Sequence, residues 1–312
     1  MGRIRYSDAD YEGDISYGVP HGYGKIWYTN GDYYEGYFYD GRITGKGTFY
    51  YNNGCKYVGE LIDGLRNGYG TYYFEQGDVY EGYFINGQKN GKGKYTYNDG
   101  TYYIGDFKHD KIHGYGVKIY SNGDRTEGQF QDNTEHGKGK MIYSNGDYYI
   151  GDFQYGKFNG YGTLVKTNGI KLEGNFVDGH IHGYGKGWYL NGTYYEGNFQ
   201  NGYVTGYGTM IYGNGNKFVG YYIRGSENGR FKVYCKNGDY FEADYVNGLL
   251  NGQGIAIYKN GIKYKGQFTN GALTGQGEMW YPDGRYFKGE FKNGNPVTEY
   301  SKLFDSDDTF EF

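Results

Sequence analysis

A tripeptide of the form Tyr-Glu-Gly returns along this chain at an unvarying interval of 23 residues. Its first residue is Tyr11, Tyr34, Tyr57, Tyr80, Tyr103, Thr126, Tyr149, Leu172, Tyr195, Phe218, Phe241, Tyr264 and Phe287. A period of this length marks an array of small units, each of which buries its apolar surface only against its neighbours. The glycines keep the same frame. With the first residue of the tripeptide as position 0, glycine recurs at +2, +7, +11, +13 and +20. Of 61 glycines, only Gly2, Gly187 and Gly213 fall elsewhere. Glycine scattered through linkers would not do this, so the chain reads as one array. Collagen is excluded, because glycine is not every third residue and there are only 3 prolines.

Each repeat reads as two strands. The first covers positions −1 to +5, as in Tyr33 to Tyr39, and the second +13 to +18, as in Gly24 to Thr29. Asn-Gly or Asp-Gly then closes the repeat, as at Asn30-Gly31, Asn122-Gly123 and Asp283-Gly284, a hairpin signal because such turns favour positive φ. A wider connection inside the repeat carries the glycines at +7 and +11. No 3.6-residue periodicity survives, and glycine this frequent costs a helix about 1 kcal/mol each.

Strand alternation sorts the side chains into two faces. Positions 0, +2, +4, +13, +15 and +17 share one, where large rings alternate with empty glycine sites. A ring lying over a neighbouring glycine shields the backbone and stacks on the next repeat. The expected core is therefore Tyr34, Gly36, Phe38, Tyr80, Gly82, Phe84, Tyr149, Phe153, Tyr195 and Phe199. The other face, at −1, +1, +3, +14 and +16, mixes Glu, Lys, Thr, Tyr and Trp, and is where a partner is to be sought.

One feature has twice the period. Position −1 runs Tyr102, Arg125, Tyr148, Lys171, Tyr194, Lys217, Tyr240, Lys263, Tyr286, a ring/cation alternation with a 46-residue superperiod. Position +12 alternates in the same way from Tyr23 to Tyr161. Duplication of a two-repeat unit accounts for it. The alternative is a row of cation–ring pairs that docks a periodic partner, with Arg125, Lys171, Lys217, Lys263, Tyr148, Tyr194 and Tyr240 as candidate contacts.

The pattern Tyr80-Glu81-Gly82, Phe84, Gly87, Gly91-Lys92-Gly93, Tyr97, Gly100 resembles the MORN repeat (membrane occupation and recognition nexus), over about residues 3–294. The resemblance implies an all-β fold: an elongated, twisted single-layer antiparallel sheet of tandem hairpins. The expected organisation is an N-terminal half repeat or cap at 1–10, the array at 11–294 and an acidic-aromatic tail at 295–312. It also implies a scaffold at cytoskeletal or membrane–cytoskeleton sites, with homodimerisation through terminal repeats. Arrays of this kind resemble the radial-spoke-head proteins of cilia and the all-MORN scaffolds of protist cytoskeletons. The expected setting is cytoplasmic and cytoskeletal, in an axoneme or a cell cortex. The alternatives are a membrane-surface tether for acidic phospholipids, or an adaptor for an enzyme supplied in trans.

The array departs from itself in three places. The repeat from Thr126 has Arg125, Asp132 and Asn133 where rings and glycine are usual. The repeat from Phe218 has Phe231 in place of a glycine, Cys235 at the tyrosine position, and Ala243 soon after. The tail, which carries Phe304 and Phe310 among acidic residues, reads either as a cap on an otherwise open last strand or as a docking segment. Both readings stay open.

Composition removes several classes. The net charge of −4 is mixed, with no basic stripe for nucleic acid and no cluster of cations for acidic lipid. "MGRIRYSDAD" lacks the apolar segment of a signal peptide, and no 18-residue apolar run exists. Cys55 and Cys235 read as free thiols. Four of the 6 histidines (His21, His113, His136 and His182) share position +10 in different repeats, so zinc spacing is missing. No nucleophile–base set and no phosphate loop stands out. The expectation is a non-enzyme with no metal and no cofactor.

Overall fold

The computed structural model describes residues 1–297, the backbone of 302–303, and residue 310. All regular structure among them is β-strand. The chain forms two units, Met1–Lys157 and Phe158–Phe312. In each, successive strands pair antiparallel with their neighbours in sequence. The all-β array of tandem hairpins is therefore present in both.

The strands differ from the expected ones in one respect. In the repeat from Tyr34 the first strand is Tyr33–Tyr39, as expected, but the second is Arg42–Tyr50. It starts at position +8, five residues before the expected +13. The cause is a two-residue turn at +6 and +7. Asp40 and Gly41 both have positive φ, 44° and 81°, and Tyr39 pairs directly with Arg42. A turn with two left-handed residues matches the twist of the flanking strands. Asn or Asp fills +6 in most repeats because these side chains tolerate that conformation. The glycine at +11 is not loop either. Gly45, at φ 73°, sits inside the second strand. The pairing there jumps from Gly36–Gly47 to Phe38–Ile43, a β-bulge.

The Asn-Gly pair between repeats works differently from a turn with two left-handed residues. Only Gly31 has positive φ. Its amide donates to Tyr28 O at 3.0 Å, and the Tyr28 amide donates to Asp32 O at 2.9 Å. Asn30 is there for its side chain, whose Oδ1 accepts the Asp32 amide at 2.9 Å. The same bond recurs at Asn53, Asp99, Asn122, Asn145 and Asn191. Neighbouring turns are tied together as well: Asp32 Oδ1 accepts the amide of Asn52, one repeat on, at 2.8 Å.

The core follows from the glycines. Gly82 and Gly93 face each other across one hairpin, and Gly93 faces Gly105 across the next pairing. Glycine thus forms a continuous row across the strands of the first unit, from Gly13 to Gly151. The Tyr80 ring lies flat over its own glycine pair. A methyl group added at Gly82 would fall 2.5 Å from Tyr80 Oη, and one added at Gly93 would fall 2.6 Å from Tyr80 Cε2. The hydroxyl then donates to the carbonyl of Tyr83 at 3.0 Å. All eight tyrosines at position 0 donate to the carbonyl three residues on: Tyr11, Tyr34, Tyr57, Tyr80, Tyr103, Tyr149, Tyr195 and Tyr264. Each ring is also met edge-on by rings at +4. Tyr80 lies 5.1 Å from Phe84 and 4.9 Å from Phe107, both T-shaped. The expected core tyrosines and phenylalanines, Tyr34, Phe38, Tyr80, Phe84, Tyr149, Phe153, Tyr195 and Phe199, are all buried.

In two repeats where position 0 is not tyrosine, a side chain from another position lies against the glycines. In the repeat from Phe218, the Phe231 ring stands where a tyrosine ring would, 2.5 Å from a methyl group placed on Gly220. Phe231, which replaces a glycine in sequence, thus substitutes for the missing tyrosine. In the repeat from Thr126, the Phe153 ring of the next repeat lies 3.2 Å from a methyl group placed on Gly139, beside the Glu127 carbonyl at 3.1 Å.

The terminal strands are partly covered. Gly2–Arg5 pairs with Ala9–Ser16. The last long strand, Arg285–Lys292, is paired by Asn295–Pro296 and by Lys302–Leu303, so the tail caps it along part of its length.

Burial pushes the phenols of Tyr57, Tyr149 and Tyr264 up to about 12. A group whose folded pKa is raised contributes stability that is complete below its unfolded value, about 10 for tyrosine, and is lost as pH rises through the folded value. Stability is expected to be level in phenol ionisation below pH 10 and to fall between pH 10 and 12, as read by urea midpoints across that range. A midpoint that stays constant to pH 12 would contradict it.

Candidate functional site

The face opposite the rings is organised around glutamate at position +1. Glu35 accepts from Tyr23 Oη at 2.9 Å and from Tyr33 Oη at 2.8 Å, and lies 3.2 Å from Lys25 Nζ. Tyr23 belongs to the preceding repeat, at +12, and Tyr33 to position −1. The hydrogen bond from Tyr33, then that from Tyr23, holds the Glu35 carboxyl below its usual range. The same clamp closes on Glu127 from Tyr115 and Arg125, on Glu173 from Tyr161 and Lys171, and on Glu196 from Tyr184 and Tyr194.

This arrangement gives the 46-residue superperiod a physical reading. At Val58, Ile104 and Ile150, where +1 is aliphatic, the preceding +12 residue is lysine instead of tyrosine, whereas Val219 follows Tyr207. Lys92 then pairs with Asp106 at 2.7 Å and Lys138 with Asp152 at 2.9 Å. From Tyr69 to Tyr161, Tyr-to-Glu and Lys-to-Asp contacts alternate. Exposed tyrosines at +12, namely Tyr23, Tyr69, Tyr115, Tyr161, Tyr184 and Tyr207, remain on the surface of the two units.

The candidate partner contacts fall as follows. Arg125 is 2.6 Å from Glu127. Lys171 is 3.0 Å from Glu173, and its Nζ lies 4.4 Å above the Trp188 ring. Lys217 Nζ stands 5.7 Å from the Tyr234 ring, and Lys140 Nζ 5.3 Å from that of Tyr148. Tyr194 donates to Glu196, and Tyr240 to Glu242, each at 2.8 Å. Lys263 and Phe310 are brought together, with Nζ 5.1 Å from the ring centre. Phe304 lies outside the described residues. Cation–ring contacts thus exist within the chain, and every cation named sits beside a ring or a carboxylate of the same chain.

Four charged side chains on the ring face were not singled out from sequence. All stand at position +9, inside the stretch read as a connection. Arg66 lies over the Tyr72 and Phe84 rings at 4.5 and 5.4 Å and donates to Gly87 O at 2.7 Å. Lys89 Nζ lies 4.7 Å from the Tyr95 ring and 5.7 Å from those of Phe74 and Tyr80. Burial holds its ammonium below the usual lysine range. Glu135 and Glu227 are buried. Each accepts a hydrogen bond from the +17 tyrosine of the repeat before: Tyr120 at 2.6 Å, and Tyr212. The two repeats that looked worn in sequence, from Thr126 and Phe218, are the two with this buried pair. A charge at +9 on an otherwise apolar column was the signal available.

Two of the shallow hollows in the first unit lie on opposite faces. One, of about 570 Å³, is on the ring face, between Pro20, Ile26, Phe38 and Ile43 with Arg42 and Asp63 at its edge. The other, of about 540 Å³, is on the opposite face around Tyr69, Tyr83, Ile104 and Tyr115. Among the described residues, no group of three or more His, Cys, Asp or Glu side chains could hold a metal ion. No helix there is long and apolar enough to cross a membrane.

The MORN repeat model matches this chain eleven times, at residues 11–33, 34–56, 57–79, 80–102, 103–125, 127–148, 149–171, 173–194, 195–217, 241–263 and 264–284. The chain belongs to the MORN repeat family. The unmatched stretch in the middle is the repeat from Phe218, where Phe231 replaces a glycine. Arrays of this family generally serve as non-enzymatic scaffolds and mediate protein or membrane interactions. Among solved structures, similarity is found to the TCP domain of SAS-4 (dCPAP) of Drosophila melanogaster in complex with a proline-rich motif of Ana2. Identity is 20%, over 48% of this chain and 82% of that one, with a TM-score of 0.32. The TCP10 domain of Danio rerio CPAP in complex with a STIL peptide matches at 12% identity over 91% and 97%, with a TM-score of 0.21. A virginiamycin B lyase from Staphylococcus aureus matches at 11% over 79% and 69%, with a TM-score of 0.12. At these scores none of the three bears on function.

Removing Tyr120 Oη leaves a buried carboxyl without its donor, which costs about 1–3 kcal/mol. Tyr120→Phe is expected to lower the urea midpoint, and Tyr120→Phe with Glu135→Leu to recover most of the loss, because both partners are then apolar. A single variant as stable as the parent would contradict the pairing.

Proposed function

We propose that this chain is a non-catalytic structural scaffold and protein-interaction array of a cytoskeletal assembly, either a ciliary axoneme of radial-spoke type or a protist cell cortex. The observation that carries the reading is the outer face. Exposed tyrosines recur there at position +12, and Tyr23, Tyr69, Tyr115, Tyr161 and Tyr184 each donate to a glutamate one strand away. Tyrosine offers large contact area and a polar tip at low entropic cost, and is enriched at protein interfaces. A surface that repeats every two strands suits the docking of several partners, or of one periodic partner, better than it suits the convergent groups of an active site.

The test is to tag the protein in its own cell, extract with detergent and recover what co-purifies. The protein is expected to stay with the insoluble cytoskeleton. Lys171→Ser, Lys217→Ser and Lys263→Ser together are expected to release at least one co-purifying protein while leaving the chain folded. Full release into the detergent-soluble fraction, with binding to anionic vesicles at physiological salt, would overturn the reading in favour of a membrane-surface tether.

A further inference from the structure

Two of the three tryptophans stand in matching surroundings four repeats apart in the second unit. Lys171 pairs across the strands with Trp188, and Trp188 with Tyr194. Lys263 pairs with Trp280, and Trp280 with Tyr286. The Trp–Tyr rings are 5.4 Å apart and inclined at 51° in the first trio, and 5.5 Å apart at 43° in the second. The trios differ in what lies on them. Phe310 sits edge-on to Trp280, with centroids 5.0 Å apart, and Lys263 Nζ lies 5.1 Å from the Phe310 ring centre. Trp280 and Tyr286 are only 6% and 3% exposed, whereas Trp188 and Tyr194 are half-buried. At the first trio Lys171 Nζ rests on Trp188 itself.

We propose that Lys171, Trp188 and Tyr194 form a second seat for phenylalanine, and that its occupant is the C-terminal segment of another copy of this chain. The chain's own tail shows the chemistry: a phenylalanine on a tryptophan edge beneath a lysine, brought by a segment rich in acidic residues. That tail is committed to its own end, where Lys302–Leu303 pairs with Arg285 and Tyr286. A second molecule must therefore supply the segment. The seats also differ in charge. Position +1 is Lys265 beside the filled seat and Glu173 beside the other, where it holds Lys171 at 3.0 Å. The second seat is thus the weaker, so association through it is expected to be concentration-dependent. The inference does not rest on the cytoskeletal setting.

The experiment titrates a fluorescently labelled peptide of residues 300–312 into the full chain and follows anisotropy. One peptide is expected to bind per chain. Trp188→Ala should weaken binding at least tenfold, and so should Phe310→Ala in the peptide. Glu173→Lys, which copies the charge of the filled seat, should strengthen binding severalfold. This surface change keeps the test open if Trp188→Ala fails to fold. In sedimentation, the full chain should self-associate as concentration rises, and Trp188→Ala should not. Absence of binding, or equal binding to the parent and to Glu173→Lys, would overturn the proposal. So would undiminished binding to a folded Trp188→Ala chain, which would mean that the peptide displaces the resident tail at Trp280.

Discussion

Everything in this fold depends on a tyrosine ring lying flat across two facing glycines. A sheet that buries only one face gains little from each strand, and no second sheet or helix covers the rings among the described residues. The position-0 tyrosine resolves this within a single hairpin. Its ring covers the backbone of both strands, its hydroxyl reaches the carbonyl three residues on, and its edges meet the phenylalanines of its own and the next repeat. Burial, hydrogen bonding and inter-repeat packing are thereby delivered by one side chain. The glycines are the other half of the contact, since any side chain at +2 or +13 would occupy the space of the ring. The repeat from Phe218 supports this reading from the opposite side. It lost its tyrosine and gained a ring at a glycine position, and the ring ends in the same place.

The covered face frees the other one. Tyrosine, lysine and carboxylate side chains there pair across strands in an alternation two repeats long, which leaves a surface that is ordered yet still exposed. Such a surface can be read by a partner without local refolding, which lowers the entropic cost of binding. The tail gives a worked instance: one phenylalanine and two short strand pairings close the last hairpin using the residue types the array already displays.

Much of this was legible in the sequence because the period is strict. The frame located the first strand of each repeat, both faces and the ring-over-glycine contact, and left the tail open between a cap and a docking segment. The second strand was misjudged because glycine at +11 looks like loop, when it is a bulge inside a strand. The tight turn was likewise placed at Asn-Gly. Two left-handed residues actually stand at +6 and +7, and the asparagine at +19 acts through its side-chain oxygen. The half-buried charges at Arg66 and Lys89 and the buried ones at Glu135 and Glu227 were hidden by the same error, since a position assigned to a connection has no face. The alternation at −1 and +12 was visible, but its meaning was not. It depends on which residues the register places opposite each other, and a bulge shifts that register.

The most direct test of the central contact compares two glycine substitutions in one repeat. Gly82 faces the Tyr80 ring, whereas Gly87, in the turn at φ 83°, has nothing within 4 Å of an added methyl group. Hydrogen exchange on Gly82→Ala should show lost protection in Val79–Ile85, Gln88–Thr96 and the neighbouring strands, with a stability loss of about 1–3 kcal/mol or more from overpacking. Gly87→Ala should leave that protection in place and cost only turn strain. Equal effects of the two substitutions, or full protection in Gly82→Ala, would contradict the account.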